Sequence, residues 1–338
     1  MKTREGFLSR LRRRVLYFLG LAVLFYLILA LWAGGPKLLH TLRDFRPILI
    51  VYIFGAVLLN YGLRFLKWSY YLRVQKISLP TSESLVIFVS AFSMAVTPGK
   101  VGELLKAELV KERTGIPRRR TVPIVLAERI TDLLGLLVLA GVGVLTLPLP
   151  ARVQGVPTGL VLCIAAAVPF ALLGVLMTAP LARALVHFLE RFPVIGPHAH
   201  KLEDSYEAMR PLITPMRLFY MTALSVCSWG GECLAYFLVW TALPEVLGPW
   251  QAAFIYAFST LAGVVTPGGL GPTDRFLVGL PMVMAQGVSK QAAVSAMGLI
   301  RAATLWFAVI LGLGALMFFA RRYKLDEGEL EALQEAGE

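Results

Sequence analysis

The sequence predicts an all-α polytopic membrane protein, with about six full transmembrane helices plus two re-entrant hairpins in an inverted repeat. Three observations carry this. Hydrophobic residues make up 57% of the 338 and charged residues 16%, with a mean hydropathy of +0.70. They gather in several runs close to the ~20 apolar residues that a helix needs to cross ~30 Å of hydrocarbon. Lysines and arginines collect between those runs. Finally, a motif recurs: Ala91-Phe92-Ser93 precedes Thr97-Pro98-Gly99, and Ala257-Phe258-Ser259 precedes Thr266-Pro267-Gly268. Each copy cuts a hydrophobic stretch short. Paired interrupted segments of this kind mark a mid-bilayer site between the halves of a membrane protein.

Charge asymmetry orders the elements, because cytoplasmic loops carry the excess of Lys and Arg. Lys2, Arg4, Arg10, Arg12, Arg13 and Arg14 make residues 1–14 a basic cytoplasmic tail. The first span (about 15–34) exits. It is too long, and too poor in a small-residue cleavage site, to be a removed signal peptide. The second span (about 47–70) returns, with Lys67, Arg73 and Lys76 as markers of the inner face.

The next apolar stretch, Leu85 to Val96, has twelve residues before Thr-Pro-Gly. At 1.5 Å per residue it reaches only ~18 Å. Basic sequence follows at Lys106, Lys111, Arg113, Arg118, Arg119 and Arg120. A re-entrant hairpin that enters from the cytoplasm and turns at Pro98-Gly99 satisfies both facts, provided protein or water surrounds the break. Span three (about 121–149) goes out and span four (157–178) comes back. In the polar connection 180–216, Leu181, Leu185, Phe188, Leu189 and Phe192 share one helical face, as a helix lying on the membrane surface would. Span five (217–243) exits. A second hairpin enters from outside, breaks at Pro267, Gly268, Gly269 and Gly271, and resumes from Phe276 to Ala285. Span six (about 290–320) ends at Arg321, Arg322 and Lys324, which begin a cytoplasmic tail over 321–338.

Of the 33 Lys and Arg, this topology puts about 24 in or beside cytoplasmic segments and six outside, leaving Lys100, Arg129 and Arg301 within the membrane. Repeat A (about 47–149) and repeat B (about 217–320) then have the same order and opposite orientation, inside one transmembrane unit over 15–320. Inverted repeats relate the two faces of a carrier, so the pattern favours a transporter over a receptor or an anchor.

The formal charge of +12 is explained by topology, and nucleic acid is not an expected partner. Cys163, Cys227 and Cys233 form no CxxC pair, and His198 and His200 have no further ligands nearby. No metal and no cofactor are expected. There is no GxSxG, HExxH or Walker A motif, which argues against a nucleotide-driven pump.

A charge at bilayer centre costs roughly 2.5–3.5 kcal/mol on the insertion scale, so those retained there usually have a use. Repeat A supplies Lys100 and Glu103 at its hairpin and Glu128, Arg129 and Asp132 at the start of span three. Glu128 and Asp132 are i,i+4 and share a helix face. Repeat B supplies Asp274 and Arg275 at its hairpin and Arg301 in span six, while span five adds Glu232 beside Gly230-Gly231. One reading makes these structural ion pairs, with Arg129 on Glu103 and Arg301 on Asp274. The other makes them a shared central site for an anionic headgroup, since guanidinium forks match phosphate. A membrane acid–base enzyme using Glu128 and Asp132 is a third.

Pro98-Gly99-Lys100-Val-Gly102-Glu103, Glu128-Arg129-x-x-Asp132 and Pro267-Gly268-Gly269-Leu270-Gly271 together resemble the integral-membrane domain of bacterial lysylphosphatidylglycerol synthetase/flippases, which also occurs as stand-alone flippase-like proteins. The resemblance covers about residues 10–322. It departs at Pro272-Thr273-Asp274-Arg275, where the family more often has an apolar residue, a basic residue and Glu. It implies a lipid translocase in a bacterial or archaeal inner membrane, both termini cytoplasmic, acting on an anionic or aminoacylated phospholipid or a polyprenyl-phosphate lipid. The chain ends about sixteen residues after Arg322, so no aminoacyl-transferase activity is expected. The competing expectation is a non-transporting scaffold for a lipid-modifying enzyme.

Overall fold

A computed structural model describes residues 47–97, 102–148, parts of 152–178, 206–245 and 247–323. The expected first span, the surface helix near 181–192, the turn residues Pro98 and Gly99 with Lys100, and most of both tails lie outside the described residues. Span four is described only in part.

The described chain is helical apart from a two-residue antiparallel ladder, Arg152–Val153 with Val156–Pro157. Helix α1 is Pro47–Val74, α2 is Thr81–Ser90 and runs on as a 3-10 turn at Ala91–Met94, α3 is Leu105–Thr114 and α4 is Arg118–Thr146. The second series is α5 (Pro215–Thr241), α6 (Pro249–Ala262), a 3-10 turn Pro267–Gly269, α7 (Pro272–Met284) and α8 (Lys290–Arg301). A π-helical turn, Ala302–Trp306, joins α8 to α9 (Phe307–Tyr323). Among the described residues, three helices are long and apolar enough to cross a membrane: Pro47–Val74, Pro215–Thr241 and the continuous Lys290–Arg322.

Local chemistry fixes these boundaries. Helices α5, α6 and α7 each carry proline in the first turn, where its missing N–H costs nothing. Ser289 caps α8 by accepting from the Ala292 amide, and α3 stops at Gly115 in the left-handed region. Each Thr-Pro-Gly threonine turns back on its own segment. The Thr97 hydroxyl donates to the Met94 carbonyl at 2.8 Å and accepts from Gly102 N–H at 2.7 Å. The Thr266 hydroxyl donates to the Gly263 carbonyl at 2.9 Å. In the second break Gly268, Gly269 and Gly271 all have positive φ, which only glycine adopts without strain. Gly271 N–H then donates to Asp274 Oδ2 at 3.0 Å, opening α7.

Both series therefore read long helix, short helix, break, short helix, long helix. Their packing matches under exchange: α2 lies on α9 as α6 lies on α4, α3 lies on α4 as α7 lies on α8, and α1 packs against α5. The exchanged contacts each use a glycine on the long helix. A Cβ on Gly312 would sit 2.1 Å from Ser93 N, and one on Gly143 would sit 2.6 Å from Phe254. The α1/α5 crossing is antiparallel. Gly231 approaches the Ala56 carbonyl, Asn60 donates to the Ser228 carbonyl at 2.8 Å, and Lys67 reaches Ser225 at 2.7 Å, so the α5 number falls as the α1 number rises. Gly268 of the second break lies against Val96, just ahead of the first.

Candidate functional site

One stripe of α1, at three- and four-residue spacing, carries Asn60, Arg64, Lys67 and Tyr71, all buried although three are strongly polar. It faces α4, where Glu128, Arg129 and Asp132 occupy adjacent turns, and the approach to α3, where Glu103 lies in the turn before the helix and Lys106 in its first turn. Glu103 takes Arg64 at 3.2 Å, Arg129 at 2.9 Å and Lys106 at 3.6 Å. Asp132 is bound by Lys67, by Arg129 at 2.9 Å and by Arg64 at 3.8 Å. Lys106 also reaches Glu128 at 2.6 Å and lies beneath the rings of Trp68 and Phe88. Thr131 and Ser225 accept further bonds from Lys67 at 3.2 and 2.7 Å. A charge buried this deeply needs such partners, because an uncompensated one in low dielectric is strongly destabilising.

The second cluster is smaller. Arg301 places Nε 2.7 Å from Asp274 and donates to the Gly268 and Gly269 carbonyls at 3.0 and 3.1 Å. A single side chain thus satisfies backbone groups that the glycine break frees. Arg275, the next residue on α7, is exposed. Between the two clusters, Tyr256 of α6 donates to Glu232 of α5 at 2.5 Å. Tyr61 stacks near Phe92 and Phe307, and its hydroxyl donates to the Thr304 carbonyl in the π turn at 2.9 Å.

Of the predicted residues, the structure brings Glu103, Glu128, Arg129 and Asp132 together and joins Asp274 to Arg301. Each arginine is held by the acid of its own series. Two sequence readings need correction. Lys67 and Lys106 stand in the sequence as inner-face charges, yet both are 1% exposed and buried in the ion cluster. Counting positive residues cannot separate a solvated loop charge from one folded inward. Arg64 and Tyr256 were missed. For Arg64 a signal existed, the polar stripe Asn60, Arg64 and Lys67 within an apolar helix; for Tyr256 there was none.

Comparison with known proteins adds one decisive fact. The family described as lysylphosphatidylglycerol synthase TM region matches residues 17–312. The chain belongs to that family. A search of curated proteins found no match. The family's membrane region is related to lipid handling, and both charge clusters fall inside the matched range. Arg129 stands out within this lysylphosphatidylglycerol synthase-type domain: its side chain is 18% exposed, against 0–6% for the six other members of the larger cluster.

Proposed function

We infer that the protein is a lipid translocase, which moves an anionic or aminoacylated phospholipid, or a polyprenyl-phosphate lipid, between leaflets without altering it chemically. The observation that carries this reading is Arg129, the most exposed side chain of an otherwise buried charge cluster. One guanidinium nitrogen, Nη2, already lies 2.9 Å from carboxylate oxygens of both Glu103 and Asp132. A phosphate has the geometry to replace either one. Support comes also from family membership, from the approach of Gly268 in the second break to Val96, just ahead of the first, and from the antiparallel α1/α5 crossing, which gives equivalent helices opposite senses.

On this reading the topology is six spans and two re-entrant hairpins with both termini cytoplasmic, α4 being one of the spans. Arg301 and Asp274 hold the second hairpin, and Arg129 meets the headgroup. Native mass spectrometry of the purified protein should find an anionic lipid retained, and Arg129→Ala should lose it. Retention of the same lipid by that variant would remove Arg129 from headgroup recognition.

A further inference from the structure

The two hairpins ride on opposite sides of one joint. Arg301, the last residue of α8, holds the second break through Asp274 at 2.7 Å and through the Gly268 and Gly269 carbonyls, and α7 packs along α8. The first hairpin rides on α9 instead. Helix α2 and its 3-10 turn lie along α9, and Gly312 sits under Ser93. The limbs of this hairpin are tied to each other, by Gly102 N–H on the Thr97 hydroxyl at 2.7 Å and by Arg113 on Glu83 at 2.7 Å. Between α8 and α9 stand the five residues of the π turn, Ala302–Trp306.

That turn has the chemistry of a hinge. Phe307 N–H reaches back to the Ala302 carbonyl, so the regular i to i−4 ladder lapses, and helices kink at such places. Thr304 reinforces the lapse: its hydroxyl donates to the Ile300 carbonyl at 2.7 Å, and back-bonding of this kind bends helices. The counterpart α4, which receives α6 as α9 receives α2, is α-helical from Arg118 to Thr146. Packing at the joint is thin. Val96 and Val309 are buried in a small cluster with Leu270, Leu305 and Trp306, apart from the main core. Few buried contacts mean a low free energy of local opening. A bond from α1 crosses onto the joint: the Tyr61 hydroxyl donates to the Thr304 carbonyl at 2.9 Å, with its ring beside Phe92 of the first hairpin and Phe307 of α9.

We propose that Ala302–Trp306 is a hinge: α9 bends there and carries the first hairpin away from the second, parting Val96 from Gly268, while the Tyr61 hydroxyl on Thr304 latches the closed form. This rests on the translocase reading and supplies the movement it requires, since a headgroup reaches a buried charge cluster only when a packed element gives way. Glu103 lies just beyond the first break. The swing therefore pulls on its contact with Arg129, 2.9 Å in the closed form, and turns that guanidinium over to a phosphate.

The test uses the full chain in phosphatidylcholine vesicles, with the exposed Cys163 and Cys227 replaced by serine. Spin labels on Leu85→Cys of α2 and Val283→Cys of α7, both exposed positions, report the separation of the hairpins by pulsed electron resonance. Two distance populations are expected. Added phosphatidylglycerol should shift their ratio, and Tyr61→Phe should raise the longer one about fivefold, the worth of one hydrogen bond. A single distance unmoved by lipid overturns the hinge, and an unchanged ratio in Tyr61→Phe overturns the latch. A second arm places the bend. In Ala302→Cys/Trp306→Cys, a short bis-alkylating staple across the turn should stop the leaflet exchange of labelled phosphatidylglycerol that the same variant shows unstapled. A staple across Gly314→Cys/Phe318→Cys, on the exposed face of α9, should not. Exchange at the unstapled rate through a stapled joint overturns the proposal and leaves translocation standing. Wild type that moves no lipid removes the translocase reading instead. In that event, or if the variant carrying the staple fails to fold, the label distances decide the hinge alone.

Discussion

Lys106 packs its ammonium against Glu128, which is 0% exposed, and under two aromatic rings. Lys106→Met should therefore strand a buried carboxylate, a loss on the order of 3–5 kcal/mol. The double variant Lys106→Met/Glu128→Leu should recover much of it. Thermal unfolding in detergent checks this, and losses that simply add would show that the two charges do not depend on each other. Arg129→Ala should be far milder, because Glu103 retains Arg64 and Lys106 while Asp132 retains Lys67. That contrast separates a residue that supports the fold from one free to meet a ligand. Reading residue identity was enough to nominate Glu103, Glu128, Arg129 and Asp132. It misplaced Lys67 and Lys106, because a lysine at the end of an apolar run has the same sequence signature whether it snorkels outward or folds in.

The helices themselves were legible. The stretches expected at about 47–70, 121–149, 217–243 and 290–320 are helical, as Pro47–Val74, Arg118–Thr146, Pro215–Thr241 and Lys290–Arg322, and the first, third and fourth of these are long and apolar enough to cross a membrane. Apolar length and flanking charge are local properties, so a linear reading captures them. Contacts between series are not local. Nothing along the chain announces that Gly312 admits the backbone of Ser93, or that the helix after Arg301 widens into a π turn whose Thr304 carbonyl takes the Tyr61 hydroxyl. Such π turns concentrate at functional sites. Gly312→Ala forces a methyl onto main chain and should cost about 1–3 kcal/mol by overpacking. Gly314→Ala, where a Cβ meets nothing within 4 Å, should not lower the melting temperature. Equal effects of the two substitutions would mean that α9 does not approach the first break this closely.

For the whole molecule, the recurrence of Ala-Phe-Ser and Thr-Pro-Gly foreshadowed two equivalent series, and their packing matches under exchange. The recurrence could not show that Gly268 of the second break packs on Val96, just ahead of the first. If the series are inverted, Arg119 and Arg275, both exposed, face opposite sides of the membrane. Cysteines placed there, with the exposed Cys163 and Cys227 replaced by serine, should react with impermeant reagent from opposite sides. Reaction of both from one side would end the inverted arrangement. The central claim concerns movement of lipid, and leaflet exchange measures it directly. In proteoliposomes holding labelled phosphatidylglycerol or a labelled polyprenyl phosphate, the wild-type chain should carry label between leaflets, and Arg129→Ala should abolish that movement while remaining folded and inserted. Transport by Arg129→Ala at the wild-type rate would contradict the account and leave the buried charges a purely structural role.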